Sequence, residues 1–276
     1  MGALLEWLGS SGVRRVTIAS YAAGGPGGSE RGLQVERRAC FGEALAMAFQ
    51  GMDGDLLILH GDRLQWHPMH AVPSIPGGAA ALVLLCADRF DPKPLRLTTT
   101  PQGIIEWTGG VGEATTNLAD SGAWLATRRL ADASRDALTP RDALIAALAS
   151  GTGVAGEIAP GYTRSLEKGE GYLSACHDLL SGHVPGCFRE RRPTDGILVE
   201  EGALVGEGTV LSGTAWLRTG SATGAGCSLD NCVLLPGSRV GDGCRLRNML
   251  VGSGASIPPG TDAFDKYLKI RERSGP

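Results

Sequence analysis

From Val199 onward an apolar residue returns every six positions: Val199, Val205, Leu211, Leu217, Thr223 in phase, then Leu229. Five-residue steps reset the phase, so that Leu234, Val240 and Leu246 follow, and then Val251 and Ile257. Glycine follows the stripe in Val205-Gly206, Thr223-Gly224, Val240-Gly241 and Val251-Gly252. A strand in a half-buried sheet alternates with period two, and a helix repeats near 3.6. A period of six fits neither. It fits a triangular coil of three short strands, in which one residue in six points at the axis and each coil covers the next. A coil takes about 18 residues, so Val199 to Ile257 spans just over three. Cys227, Cys232 and Cys244 fall inside the repeat at spacings of five and twelve. That is no zinc-ligand spacing, and they are expected to be small wall or core residues.

Upstream of about residue 190 the pattern changes. Leu4, Leu5, Trp7 and Leu8 read as a helix before Gly12, and Val13 to Ala19 as a strand. Ala22 to Ser29 is glycine-rich, but no helix follows in nucleotide-loop spacing, so it reads as a surface loop. Phe41 to Phe49, Pro140 to Leu148 and Tyr172 to Leu180 carry helical patterns. Leu56 to Leu59, Ala79 to Cys86 and Ala123 to Ala126 are short apolar runs of strand length. Leu95 to Thr99 and Gly103 to Trp107 flank Pro101-Gln102-Gly103 and read as a hairpin. Alternation of this kind predicts a mostly parallel sheet covered on both faces. The expected division is an α/β domain over 1–190 and a repeat domain over 191–276. The tail from Ala263 to Arg271 is expected to form a short helix covering the last coil, since an open coil end is an exposed strand edge.

Composition excludes several classes. With 26 basic against 29 acidic residues and no long basic run, no nucleic-acid partner is expected. No window approaches the roughly 20 apolar residues of a membrane helix, so no membrane partner is expected. Met1 to Leu8 lacks a basic leader and carries Glu6, which predicts a helix and not a signal peptide. Seven cysteines without a paired framework point to a reducing, cytoplasmic compartment.

Taken together, the two halves resemble the sugar-nucleotide pyrophosphorylases (nucleotidyltransferases), most like the mannose-1-phosphate guanylyltransferase group. The resemblance rests on several stretches: Ala39-Cys40-Phe41-Gly42-Glu43-Ala44-Leu45 against L-G-T-x-G-A-L; His60-Gly61-Asp62 against N-G-D; Ala119-Asp120-Ser121-Gly122-Ala123-Trp124 against the sugar-contacting N-x-G-x-Y; and Gly161 to Tyr172 against G-Y-W-x-D-I-G-T-P-E-D-Y. It implies a truncated Rossmann-like nucleotidyltransferase domain followed by a C-terminal left-handed β-helix of hexapeptide repeats. It also implies that the chain starts after the family's first strand, its glycine-rich loop with an arginine, and a nearby lysine.

The same resemblance implies a vestigial ligand site at Gly42, Glu43, Asp62, Gly122 and Ser165. Asp62 corresponds to one Mg²⁺-holding aspartate and Ser165 to the other. A neutral hydroxyl is a poor substitute for a carboxylate beside a dication and phosphates. After Trp107 the chain continues Thr108-Gly109-Gly110, where the family's E-K-P supplies a lysine. Nucleotidyl transfer depends on positive charge placed around developing negative charge. The expectation is therefore a degenerate, non-catalytic homologue without a cofactor, serving as a regulatory or assembly subunit. It would form homo-oligomers, or hetero-oligomers with an active homologue, and can still bind a nucleotide sugar. The alternative is an active pyrophosphorylase using Mg²⁺. A β-helix acyltransferase usually needs a histidine between coils, and residues 196–276 contain none.

Overall fold

The computed structural model describes residues 15–19, 28–30, 33–38, 40–68, 72–87, 96–100, 103, 105–109, 118–158, 160–184 and 193–268. The expected helix near Leu4, the loop from Ala22 to Gly27 and the tail beyond Leu268 lie outside the described residues. The chain divides into two compact units. One takes the chain up to Gly61 and His67–Thr163, the other Asp62–Trp66 and Arg164 onward.

In the first unit, β1 (Arg15–Ala19) pairs in parallel with β3 (Leu33–Arg38), and β2 (Gly28–Glu30) adds antiparallel. The larger sheet contains β4 (Leu56–Leu59), β6 (Ala79–Ala87), β7 (Arg96–Thr99), β8 (Ile105–Gly109), β9 (Leu118–Ala126) and β10 (Gly153–Ile158). The expectation of a mostly parallel sheet is corrected here. Among the described residues of this sheet only β6 with β10 pairs in parallel; β9 runs antiparallel between β4 and β6, and β7–β8 is the expected antiparallel hairpin. Short apolar runs specify burial but not direction, so the reversed strand left no mark in the pattern.

Alternation along β6 puts Val83 and Leu85 in one cluster with Phe41, Leu97, Trp124, Leu130 and Leu144. Leu82 and Leu84 fall in another with Ala123 and Ala155. The helices are α1 (Phe41–Ala48), α2 (Arg128–Ala133) and α3 (Pro140–Ala149). α3 starts where its sequence dictates. Thr139 Oγ1 accepts from the Asp142 N–H at 3.1 Å, Asp142 Oδ2 accepts from the Thr139 N–H at 3.0 Å, and Pro140 takes the first helical position.

In the second unit, β5 (Arg63–Trp66) pairs with β11 (Tyr162–Ser165), and α4 (Gly169–Leu180) follows. The rest is a β-solenoid of the hexapeptide type, a left-handed β-helix. β12 (Ile197–Val199), β13 (Val210–Leu217), β15 (Ser228–Leu234), β17 (Arg245–Val251) and β19 (Asp262–Leu268) stack in parallel register. β14 (Ala222–Thr223), β16 (Arg239–Val240) and β18 (Ser256–Ile257) form a second face.

The six-residue stripe is the core. Leu217, Leu229, Leu234 and Val251 are fully buried, and Val240, Leu246 and Ile257 nearly so. On the first described coil Val205 stays 42% exposed. Cys227, Cys232 and Cys244 are free, buried wall residues, as expected. Each thiol donates to a carbonyl of the next coil: Cys227 to Gly241, Cys232 to Leu246 and Cys244 to Pro258.

The tail is corrected too. Ala263 to Leu268 is strand, in register with Leu246–Val251, and not a helix. Phe264, Tyr267 and Leu268 have helical spacing, but the row of backbone groups presented by β17 claims the segment for another rung. No helix among the described residues is long and apolar enough to cross a membrane.

Candidate functional site

Open α/β sheets gather ligands beyond the carboxyl ends of their parallel strands. In the first unit β4 ends there, at His60. The His60 N–H donates to the Gly122 carbonyl at 2.8 Å. Gly122 lies in an irregularity of β9: Val83 faces Trp124 while Leu85 faces Asp120, so β9 carries extra residues between them. Its φ of 84° is left-handed backbone, which favours glycine.

Asp120, which sequence reasoning did not single out, organises this bulge. It is only 2% exposed. Its Oδ1 accepts from the Gly122 N–H and from Trp124 Nε1–H, both at 2.8 Å. His60 Nδ1 lies 3.7 Å from Asp120 Oδ2, and the imidazole packs edge-on against Trp124 at 5.1 Å. Aspartate in a strand-like apolar run was the available signal, because a buried carboxylate must be met by donors.

Gly42 is buried in α1 and approaches the turn after α2. Its N–H donates to the Ala137 carbonyl at 2.9 Å, and a Cβ there would lie 2.3 Å from the Ser134 and Arg135 carbonyl oxygens. Close packing thus accounts for this glycine. Glu43, next to it, is exposed.

In the second unit the backbone next to Ser165 is bonded to Asp62. β5 begins directly after Asp62, β11 ends at Ser165, and the Leu166 N–H donates to the Asp62 carbonyl at 2.8 Å. Asp62 is exposed and Ser165 half-buried. Ser165 Oγ accepts from the Glu167 N–H at 3.4 Å. The donors present are one carboxylate and one neutral hydroxyl. The Mg²⁺ site that the resemblance implies has a carboxylate at both positions. Among the described residues no three His, Cys, Asp or Glu side chains gather as a metal site.

α4 is fixed to the solenoid through Leu173 and Cys176, which pack with Val233. Beside them Glu200 accepts from Trp216 Nε1–H at 2.9 Å and from the Thr219 N–H and hydroxyl at 2.8 and 2.9 Å, and pairs with Arg218. Burial opposes ionisation of Glu200, but the Thr219 donors and Arg218 outweigh it and hold the carboxyl below its usual range. Arg218 also lies over the Trp216 ring at 4.7 Å. Glu200 thus ties Trp216, Arg218 and Thr219 of the following coil to its own, and the cluster reads as a clamp between coils.

No characterised protein matches the chain. Residues 189–264 match the family model described as GlmU-like, C-terminal hexapeptide. The match covers the coils, which are similar to the hexapeptide repeats of that model.

Proposed function

We propose that this chain is a non-catalytic homologue of the sugar nucleotidyltransferases, kept as a regulatory or assembly subunit with a Rossmann-like domain over 1–190 and the β-helix domain over 191–276. The observation that carries the reading is the serine at position 165, on the strand end that is bonded to Asp62 through Leu166. These positions lie at the paired ends of β5 and β11, and one of them offers a hydroxyl in place of a carboxylate. One anion there cannot balance a dication shared with a triphosphate as two can. Further support comes from Asp120. It stands where the resemblance has the sugar-contacting asparagine, and it spends one carboxylate oxygen on Gly122 and Trp124. Thr108-Gly109-Gly110 in place of E-K-P removes a cation that would meet the sugar phosphate.

The subunit works in the cytoplasm, as a homo-oligomer or beside an active homologue, and its remaining small-molecule ligand is a nucleotide sugar. The test is calorimetry on the purified chain with a panel of nucleotide sugars, with turnover measured on the same samples using sugar 1-phosphates, nucleoside triphosphates and Mg²⁺. Binding without pyrophosphate release supports a ligand-sensing subunit. Neither binding nor release supports an assembly element. Release at ordinary enzymatic turnover overturns the proposal in favour of an active pyrophosphorylase.

A further inference from the structure

Each long solenoid strand turns its corner through one left-handed residue. These are Gly213 (φ 62°), Asn231 (52°), Asn248 (49°) and Asp265 (50°), and Asp195 (50°) holds the same place one coil earlier. The side chains form a ladder with a direction. The Thr214 N–H donates to Asn231 Oδ1 at 3.0 Å, Asn231 Nδ2 to Asn248 Oδ1 at 3.3 Å, and Asn248 Nδ2 to Asp265 Oδ1 at 2.8 Å. Each asparagine accepts from one coil and donates to the next. Asp265 accepts from Asn248, but an ionised carboxylate has nothing to donate onward.

A second feature marks the same end. The register row Ala215, Cys232 and Met249 is fully buried, and its next member is Lys266. A row that is fully buried in the coils below thus continues on β19 with a lysine, and an unpaired charge is costly to bury. The opposite end is closed differently. Asp195 and Gly196, both at positive φ, make a two-residue turn that folds Thr194 back on Ile197, with backbone hydrogen bonds of 2.9 and 2.8 Å in the two directions. The Ile197 N–H and carbonyl are spent in that turn.

We propose that both ends of this solenoid are built to refuse head-to-tail stacking on a second copy. Stacking would bring Asp265 of one copy and Asp195 of the next onto neighbouring rungs, about 4.8 Å apart, where interior rungs place an amide hydrogen bond. It would also add a member to the row that reaches β19 at Lys266. Charge placed on an edge strand is a general device against edge pairing. Contacts between copies are thereby directed to the sides of the coil. The inference holds whether or not the chain is catalytic.

The test is sedimentation velocity on the full chain from micromolar to near-millimolar concentration. It compares wild type, the ladder-extending D195N/D265N, and D195N/D265N/K266M, with folding checked by circular dichroism. Wild type keeps a closed assembly state across the range. In the triple variant the weight-average sedimentation coefficient rises about twofold or more as open-ended species form, and the double variant moves the same way by less. If the triple variant does not fold, the double variant alone decides. An open-ended series in wild type overturns the proposal. So does a folded triple variant, or a folded double variant standing in for it, that sediments like wild type.

Discussion

A methyl group added at Gly42 would meet the Ser134 and Arg135 carbonyl oxygens at 2.3 Å, a separation that real Cβ atoms do not tolerate. Gly42→Ala is expected to lower the free energy of unfolding by about 1–3 kcal/mol, read from urea denaturation. An unchanged midpoint would return this glycine to the ligand-contact role that the resemblance implies. Asp120→Ala leaves the Gly122 N–H and Trp124 Nε1–H without their shared acceptor. It should destabilise by about 2–3 kcal/mol, and Asp120→Asn by less, because one acceptor oxygen remains.

Two histidines set the response to acid. Burial lowers the pKa of His67, against a smaller opposing effect of the Pro160 backbone, and burial lowers that of His177, against the Asn231 backbone and Asp178. In both, the unfolded chain binds the proton first as pH falls. Their contribution to stability is therefore fully present above the unfolded value near 6.5 and is lost as pH drops through the depressed folded values. Denaturation midpoints should stay level above neutrality and decline below about pH 6.5. The decline should be shallower in His67→Gln. A midpoint that rises on acidification contradicts this.

Among the elements, the corner ladder makes the sharpest claim. Asn248→Ala removes the carboxamide bonds to Asn231 and Asp265 and puts a Cβ-bearing residue without a local partner at φ 49°. A loss of about 2 kcal/mol is expected, with Asn248→Gly milder, as thermal melts would show. Burial pushes the thiols of Cys176 and Cys232 up to about 12. In the folded protein near pH 8 they should resist alkylation, while the half-buried Cys40 and Cys86 react before them. Peptide mass spectrometry checks the order. The solenoid was legible in the sequence because a coil offers its axis one position in six, so Leu217, Leu229, Leu234 and Val251 had to be apolar. The tail was misread because Phe264, Tyr267 and Leu268 mimic a helical face. What decided its form was the seventeen-residue offset from Arg247, Leu250 and Val251, a neighbour relation and not a local one.

At the scale of the molecule, the repeat half could be read from periodicity and the other half only from resemblance. Nothing periodic brings Asp62 to the strand end that carries Ser165; a strand pairing does. Nor does pattern reveal that β9 runs backwards between β4 and β6, or that its bulge is tied by a buried aspartate. A residue's chemistry is written in the sequence, whereas its neighbours are set by topology. The whole account turns on a site with too little charge to hold a triphosphate while its bond breaks. The most direct measurement is exchange of labelled pyrophosphate into nucleoside triphosphate, using the purified chain, a panel of nucleotide sugars and Mg²⁺. The account predicts no label above a protein-free control. Label entering the triphosphate at enzymatic rates, and lost in Asp62→Asn, would contradict it.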